Sequence, residues 1–141
     1  MSIDTTFLRR CIGALERALQ GIEEHRGADD FLYDVFRAAC VKEFELVLEQ
    51  SGKLLRKRLA AFFASNRQAD RLAFKDLFRH AAKHGLIDCA TVERWLTYRD
   101  NRNDTAHDYG EEFAEATLKL VPVFIEDAKE LADIIEKAGD G

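Results

Sequence analysis

The residues of this chain that could do chemistry are concentrated in one polar stretch, 101-NRNDTAHDYGEE-112. Elsewhere, apolar residues return every three or four positions, as in amphipathic helices. Within the stretch the nonpolar side chains are Ala106 and the ring of Tyr109, and the next one is Phe113. This break in the helical pattern indicates either a solvated helix end or a reactive site.

Four side chains of the stretch stand out as candidates for work on a phosphodiester: Arg102, Asn103, His107 and Tyr109. Histidine titrates near neutral pH and moves protons, and the planar fork of donors in arginine matches the oxygens of a phosphate. With these groups, a ribose 2′-hydroxyl can attack its own phosphate while arginine stabilises the charge that develops on phosphorus. This chemistry cleaves RNA without a metal, and we predict neither a metal nor any other cofactor.

Helical geometry limits how Arg102 and His107 can cooperate. Five residues of an ideal helix turn the chain by about 500°, which leaves the two side chains roughly 140° apart. Either the helix ends between them, or a second protomer supplies the complementary half of the site. On these residues alone, a capped helix end with a hydrogen-bonded histidine is the simpler interpretation.

The densest basic run of the sequence is 53-KLLRKRL-59, which falls on one predicted helix. We expect Lys53, Arg56, Lys57 and Arg58 on the exposed side of that helix, and Arg99 is a further basic candidate close to the polar stretch. A solvated helix face explains such residues, since cations are favourable near a helix end. The alternative, which we weigh equally, is a surface that binds an acidic partner or an RNA backbone.

His80 and His84 are four positions apart and would share one helix face, a spacing that can hold a metal. The sequence has no HExxH motif and no Glu-x-x-His pair, so two surface histidines are the favoured interpretation. Cys11, Cys40 and Cys89 are odd in number and lack CxxC spacing. They indicate buried thiols in a reducing cytoplasm, where disulfides are rare.

The composition is that of a helix-rich protein. The 141 residues are 47% hydrophobic and 33% charged, and eight glycines and one proline leave little material for turns. The length predicts one domain over residues 1–141. Without a signal-peptide pattern or an apolar run near the ~20 residues of a membrane span, we expect a cytoplasmic protein without membrane contact. The net charge of −5 excludes general coating of nucleic acids but permits a local basic site.

Hydrophobic periodicity predicts an all-α fold. The expected helices begin near Asp4, after Asp29–Asp30, near Phe74 and after Asp88, with a last helix over about Glu112–Lys137. The polar segment 65-SNRQAD-70 is interpreted as a connector, Gly85 as a helix stop, and Pro122 as a kink in the last helix. Four to five antiparallel helices joined by short connectors make an up-and-down bundle.

The second predicted helix is the longest. Its apolar stripe begins with Phe31 and Val35 and continues towards Phe63. Gly52 lies inside this stripe and is interpreted as a point of bending.

The polar stretch resembles a known signature. Arg102, four residues, His107, one residue and Tyr109 match the R-xxxx-H-x-Y pattern of HEPN-domain proteins of the HepT type. Longer segments resemble the related nucleotidyltransferase substrate-binding family. These segments are 42-KEFELVLEQSGKLLRKRL-59, 74-FKDLFRHAAKHGLID-88 and 95-WLTYRDNRNDTAHDYGEE-112. The resemblance therefore extends over nearly the whole chain.

The resemblance implies a helical bundle that forms a homodimer and acts on RNA, not DNA. It makes Arg102 and His107 the ribonuclease residues, with Asn103 as the polar residue that follows the arginine. Dimerisation would bring two copies of the motif into one cleft, which resolves the roughly 140° separation on a single helix.

The resemblance also implies a partner. Family members are typically encoded with a small MNT-type nucleotidyltransferase, and many such pairs are toxin and antitoxin. Tyr109 would accept AMP from this partner, which would block the cleft with bulk and negative charge. The alternative that the family name allows is a non-catalytic subunit that presents a substrate to its nucleotidyltransferase.

Overall fold

The computed structural model describes residues 3–27, 31–105 and 111–137, except for the side chains of 66 and 103–105. These ranges contain no strand, as an all-α protein requires. The helices are α1 (Thr6–His25), α2 (Phe31–Leu59), α3 (Asn66–Asp70), α4 (Phe74–Lys83), α5 (Cys89–Thr105) and α6 (Glu111–Lys137), with a 3-10 turn at Ala60–Phe62. The predicted all-α bundle is confirmed, with five longer helices and the short α3.

Aspartates mark the starts of two helices, as the sequence predicts. The Asp4 carboxylate accepts a hydrogen bond from the Thr6 backbone N–H at 2.9 Å. The Asp88 carboxylate accepts one from the Thr91 N–H at 2.8 Å, which satisfies a backbone donor that the first turn of α5 leaves unpaired. These hydrogen bonds hold the pKa of each aspartate below its usual value. Both carboxylates are therefore charged acceptors at neutral pH.

Gly85 ends α4, also as predicted. Its φ of +77° lies in the left-handed region, which glycine adopts without steric cost. The Gly85 N–H donates to the Ala82 carbonyl at 3.0 Å, and the Leu86 N–H donates to the Ala81 carbonyl at 2.9 Å. This pair of bonds is a Schellman motif, which satisfies the last carbonyls of the helix.

The prediction of a connector at 65–70 is wrong, because most of this segment forms α3. Ser65 caps the helix by accepting a hydrogen bond from the Gln68 N–H at 3.3 Å. At the other end, the Arg56 guanidinium donates to the carbonyls of Ala69 at 2.7 Å and Leu72 at 2.8 Å. The polar composition suggested a loop, but a serine cap and a long-range arginine bond stabilise one helical turn and a half.

Two expectations for the second helix also need correction. The helix ends at Leu59 rather than continuing to Phe63. Phe31 and Val35 are 73% and 51% exposed, whereas Tyr33 and Phe36 of the same turns pack against the core. The helix continues without interruption through Gly52, where an added Cβ would lie 2.9 Å from the Phe74 ring. Gly52 therefore allows α4 to approach α2 closely, and the bend expected there stays a prediction.

Four aromatic side chains from four helices form the centre of the core. Phe44, Phe78, Trp95 and Phe124 are each at most 1% exposed. Trp95 stacks on Phe78 with ring centroids 4.8 Å apart, and Phe44 lies 4.5 Å from Phe124. Burial of side chains of this size stabilises the fold by about 1.5–3 kcal/mol each. This cluster joins α2, α4, α5 and α6.

Side-chain hydrogen bonds between α5 and α6 give the relative direction of these two helices. Arg94, early in α5, contacts Asp127, late in α6, while Asn101, late in α5, contacts Thr117, early in α6. The α5–α6 pair is therefore antiparallel. Pro122 lies inside α6, and the kink expected there stays a prediction. None of the helices in the described ranges is long and apolar enough to cross a membrane.

The three cysteines do not share one environment. Cys11 and Cys40 are buried, as predicted, whereas Cys89 is exposed. Cys89 is the first residue of α5, where the helix begins at the surface. Burial raises the pKa of the Cys40 thiol to about 11, so this group is an uncharged core residue.

Candidate functional site

The predicted site lies at the junction between α5 and α6. Arg102 is in the last turn of α5, and Asn103 follows it in the same helix. His107 and Tyr109 fall outside the described residues, as does the side chain of Asn103. The geometry of the candidate site is therefore that of Arg102 and of the helices on both sides of the junction.

Arg102 is held loosely. Its side chain is 27% exposed, and Nη2 lies 3.9 Å from Oε1 of Glu49 on α2, at the outer limit of an ion pair. Within the described part of the chain, its buried Nε has no hydrogen-bond partner. A guanidinium carries five N–H donors, so most of its hydrogen-bonding capacity is available. The position suits an anion such as a phosphate.

The helices that carry the junction are fixed by a buried carboxylate. Asp127 of α6 is 5% exposed at its side chain and accepts bonds from Arg94 Nε at 2.8 Å and Arg94 Nη2 at 2.9 Å. The Tyr98 hydroxyl donates to the same carboxylate at 2.5 Å. Burial and this bond raise the pKa of Tyr98, and the bond to Asp127 raises the pKa of Arg94. Tyr98 stays neutral and Arg94 stays charged at physiological pH.

A second bond between α5 and α6 lies closer to the polar stretch. Asn101 Nδ2 donates to Oγ1 of the buried Thr117 at 2.9 Å. Asn101 immediately precedes Arg102, so this bond fixes the last described turns of α5 against α6. The predicted arginine therefore has a fixed backbone and a side chain with unused donors.

The first turns of α6 are tied to α2. Arg37 of α2 is 15% exposed and lies 3.6 Å from Glu115 and 3.9 Å from Glu111. The Tyr33 hydroxyl donates to the Glu115 carboxylate at 2.8 Å. Glu111 is the first residue of α6 and follows Gly110 directly. Both ends of the polar stretch are therefore anchored to the bundle.

The exposed basic face of α2 is narrower than predicted. Lys53 and Lys57 are exposed, as expected. Arg56 is not on the exposed side, because its guanidinium donates to the carbonyls of Ala69 and Leu72 at the end of α3. The sequence could not show this, since the bonds join residues 13 and 16 positions apart in the chain.

Arg99 lies on the same side of α5 as Arg102. Its guanidinium carbon is 5.0 Å from the centroid of the Phe74 ring, in cation–π contact. The neighbouring Asp100 is paired with Lys75 of α4 at 2.7 Å. The structure therefore brings Arg99 and Arg102 together and keeps Lys57 on a different helix.

The two histidines of α4 make separate aromatic contacts. His84 stacks on Phe62 with ring centroids 4.0 Å apart, and His80 meets the edge of Phe63 at 5.2 Å. No group of three potential metal ligands occurs among the residues that the structure describes. Aromatic packing accounts for both side chains.

Three residues that support the site were not found from the sequence: Glu49, Asp127 and Arg37. Each lies on a helix with charged residues at many positions, and each acts through a partner more than 30 positions away. Of these three residues, Asp127 alone had a signal in the sequence, because it occupies a position of α6 that the hydrophobic period assigns to the core. The contacts of Glu49 and Arg37 depend on how the helices pack together, which the sequence does not show.

The fold and the anchored arginine-bearing junction define a HEPN-like helical bundle. The family model described as "Nucleotidyltransferase substrate binding protein like" matches residues 5–137. The chain belongs to this family, which includes the HepT-like HEPN proteins.

Relatives support the same assignment. The chain is 30% identical over 115 residues to the Haemophilus influenzae protein named "Probable ribonuclease HepT", which covers 79% of this chain and 77% of that protein. A solved Haemophilus influenzae structure, described as the substrate-binding domain of a nucleotidyltransferase, has a TM-score of 0.81 and 26% identity. That match covers 94% of this chain and 98% of the other.

A more distant structure shares the fold. It is a tri-AMPylated HEPN toxin of Shewanella oneidensis in complex with an MNT antitoxin, with a TM-score of 0.63 and 18% identity. The match covers 92% of this chain and 96% of that chain.

We predict that Asp127→Asn lowers the free energy of unfolding by about 1–3 kcal/mol, because it weakens charge-assisted bonds at a buried position. Arg94 is 42% exposed, so water compensates for part of the loss. Urea denaturation followed by circular dichroism measures the change. The matched control is Glu126→Gln, an exposed neighbour, for which we expect a change within about 0.5 kcal/mol. Equal effects of the two variants would contradict this role of Asp127.

Proposed function

We propose that this protein is a HepT-type ribonuclease toxin whose active site forms between two protomers. The observation that carries the proposal is Arg102: its backbone is fixed at the end of α5, and among the described residues its guanidinium has a single ion-pair contact, 3.9 Å from Glu49. His107 follows five positions later, as in the signature that the sequence resembles. An arginine with unused donors and a histidine from the second protomer would suit a phosphate that reacts by proton transfer.

The proposed reaction needs no group beyond the chain and the RNA. His107 accepts the proton of a ribose 2′-hydroxyl, and the 2′-oxygen forms a new bond to the adjacent phosphorus. The bond from phosphorus to the 5′-oxygen breaks, and this oxygen takes up a proton from the protonated His107, which returns to its neutral form. Arg102 stabilises the negative charge on the phosphate oxygens in the transition state. The products are a 2′,3′-cyclic phosphate and a 5′-hydroxyl.

Regulation by a nucleotidyltransferase is the second part of the proposal. Tyr109 lies two positions after His107, and it would accept AMP from a cognate MNT-type enzyme. The added phosphate carries negative charge into a cleft that must bind RNA phosphates, and the nucleoside adds bulk. The Shewanella oneidensis relative, an AMPylated toxin bound to an MNT antitoxin, supports the proposal by analogy.

A second candidate function is that of a non-catalytic subunit that presents substrate to a nucleotidyltransferase. The observation in its favour is the Haemophilus influenzae relative described as a nucleotidyltransferase substrate-binding domain. This function predicts a stable complex with the partner enzyme and no RNA cleavage by the chain alone.

We expect purified protein to cut RNA in the presence of a chelator, and His107→Ala to lower kcat/KM by at least about 100-fold, the usual contribution of a general acid–base group. The matched control is His84→Ala, an exposed histidine that stacks on Phe62. It should leave the cleavage rate unchanged. Circular dichroism of all three proteins checks that the fold is retained. Undiminished cleavage by His107→Ala would refute the assignment.

Incubation with the cognate nucleotidyltransferase and ATP should add AMP to the chain and stop RNA cleavage. We expect Tyr109→Phe to abolish the addition, because the acceptor hydroxyl is gone. Peptide mass spectrometry locates the modified residue. The control is Tyr33→Phe, a tyrosine whose hydroxyl is already bonded to Glu115. AMP on another residue would exclude Tyr109 as the acceptor, and a stable complex with neither AMP transfer nor cleavage would favour the substrate-binding subunit.

A further inference from the structure

Arg99 is a cation near the proposed site that is positioned by an aromatic ring. Its guanidinium carbon lies 5.0 Å from the centroid of the Phe74 ring. Within the described part of the chain, no carboxylate lies within ion-pair distance of Arg99. The more buried arginines differ in this respect: Arg94 is bound by Asp127 and Arg37 by Glu115. Arg99 is therefore positioned by an aromatic ring, which leaves its charge uncompensated.

The ring beneath Arg99 is itself fixed. Phe74 packs against Gly52 of α2 so closely that an added Cβ would lie 2.9 Å from two ring atoms. Phe74 also contacts the buried Phe78, with ring centroids 4.8 Å apart. The guanidinium of Arg99 is therefore held before any ligand arrives, which lowers the conformational entropy that binding must remove.

Arg99 and Arg102 form one surface. They are three positions apart on α5, so their Cβ atoms are about 5–6 Å from each other. Asp100 lies between them in sequence, but Lys75 pairs with its carboxylate at 2.7 Å and offsets the negative charge. Lys53, which follows Gly52 on α2, is also exposed. The result is a local basic surface on a chain whose net charge is −5.

An arginine that lies over an aromatic ring keeps its N–H donors free at the edge of the guanidinium plane. These donors match two oxygens of a phosphate. A strand of RNA presents a row of phosphates, and a protein that cleaves one of them must also orient its neighbours. Two guanidinium groups three positions apart on one helix face suit two successive phosphates of a single strand.

We propose that Arg99 binds the phosphate next to the one that is cleaved at Arg102, so that the substrate is a single RNA strand with at least two consecutive phosphates. This inference rests on the proposed ribonuclease function. Phe74 is a positioning residue in this arrangement, because it holds Arg99 and does not contact the RNA.

The test neutralises single phosphates of a defined substrate. The substrate is a short 2′-O-methyl RNA strand with one ribonucleotide, which confines cleavage to one bond. In two further strands, a neutral methylphosphonate replaces the phosphate on the 5′ side or on the 3′ side of that bond. For the unaltered protein, we expect one of the two replacements to lower kcat/KM by about tenfold or more, the effect of one charge-assisted hydrogen bond.

Arg99→Gln identifies the residue responsible. In this variant, the same methylphosphonate should change kcat/KM by less than about twofold, because the contact is already absent. The matched control is Arg79→Gln, which removes an exposed arginine of α4 that pairs with Asp76. It should retain the full effect of the replacement. If neutralisation has the same effect with and without Arg99, or no effect in the unaltered protein, the inference is wrong.

A failure of the proposed function gives a different result. If the protein does not cleave RNA, the same three proteins and strands are compared by fluorescence anisotropy, with the ribonucleotide replaced by a 2′-O-methyl residue. A methylphosphonate effect on the binding constant that disappears in Arg99→Gln then supports the phosphate contact and refutes the ribonuclease. Binding that is insensitive to both changes overturns the inference about Arg99.

Discussion

The bonds to the buried Asp127 carboxylate are the interaction on which the candidate site depends. A carboxylate that is 5% exposed is unfavourable unless its oxygens are hydrogen-bonded. Here Arg94 supplies two donors and Tyr98 a third, all from α5. Because removal of any donor would leave a buried charge under-satisfied, these bonds strongly favour one position of α5 on α6. The polar stretch joins these two helices, so its ends are fixed by the same bonds.

Asp127 and Arg102 differ in how far their hydrogen-bonding groups are satisfied within the bundle. The hydrogen-bonding capacity of the Asp127 carboxylate is largely satisfied inside the protein. Arg102 has one distant carboxylate, Glu49 at 3.9 Å, and within the described residues its Nε has no partner. Unused donors on a fixed backbone are what a transition-state stabiliser requires, since little reorganisation is needed when charge develops. The same principle applies to Arg99, which Phe74 holds without neutralising it.

Local signals in the sequence were sufficient for most of the fold. Hydrophobic periodicity located the long helices, and the caps at Asp88 and Gly85 depend only on neighbouring residues. Contacts between distant segments were not predictable in this way. The helix at 65–70 depends on Arg56, which was expected to face solvent, and Gly52 allows the close approach of Phe74. The structure shows which groups surround Arg102, whereas the roles of Asn103, His107 and Tyr109 stay predictions from the motif.

The central claim is that the active site is shared, with Arg102 from one protomer and His107 from its partner. Mixing two inactive variants, Arg102→Ala and His107→Ala, tests it most directly. After subunit exchange, a mixed dimer contains one cleft with an intact arginine and an intact histidine on opposite protomers. The account predicts that the mixture cleaves RNA while neither variant does so alone. A mixture that forms mixed dimers, verified by native mass spectrometry, but stays inactive would contradict it.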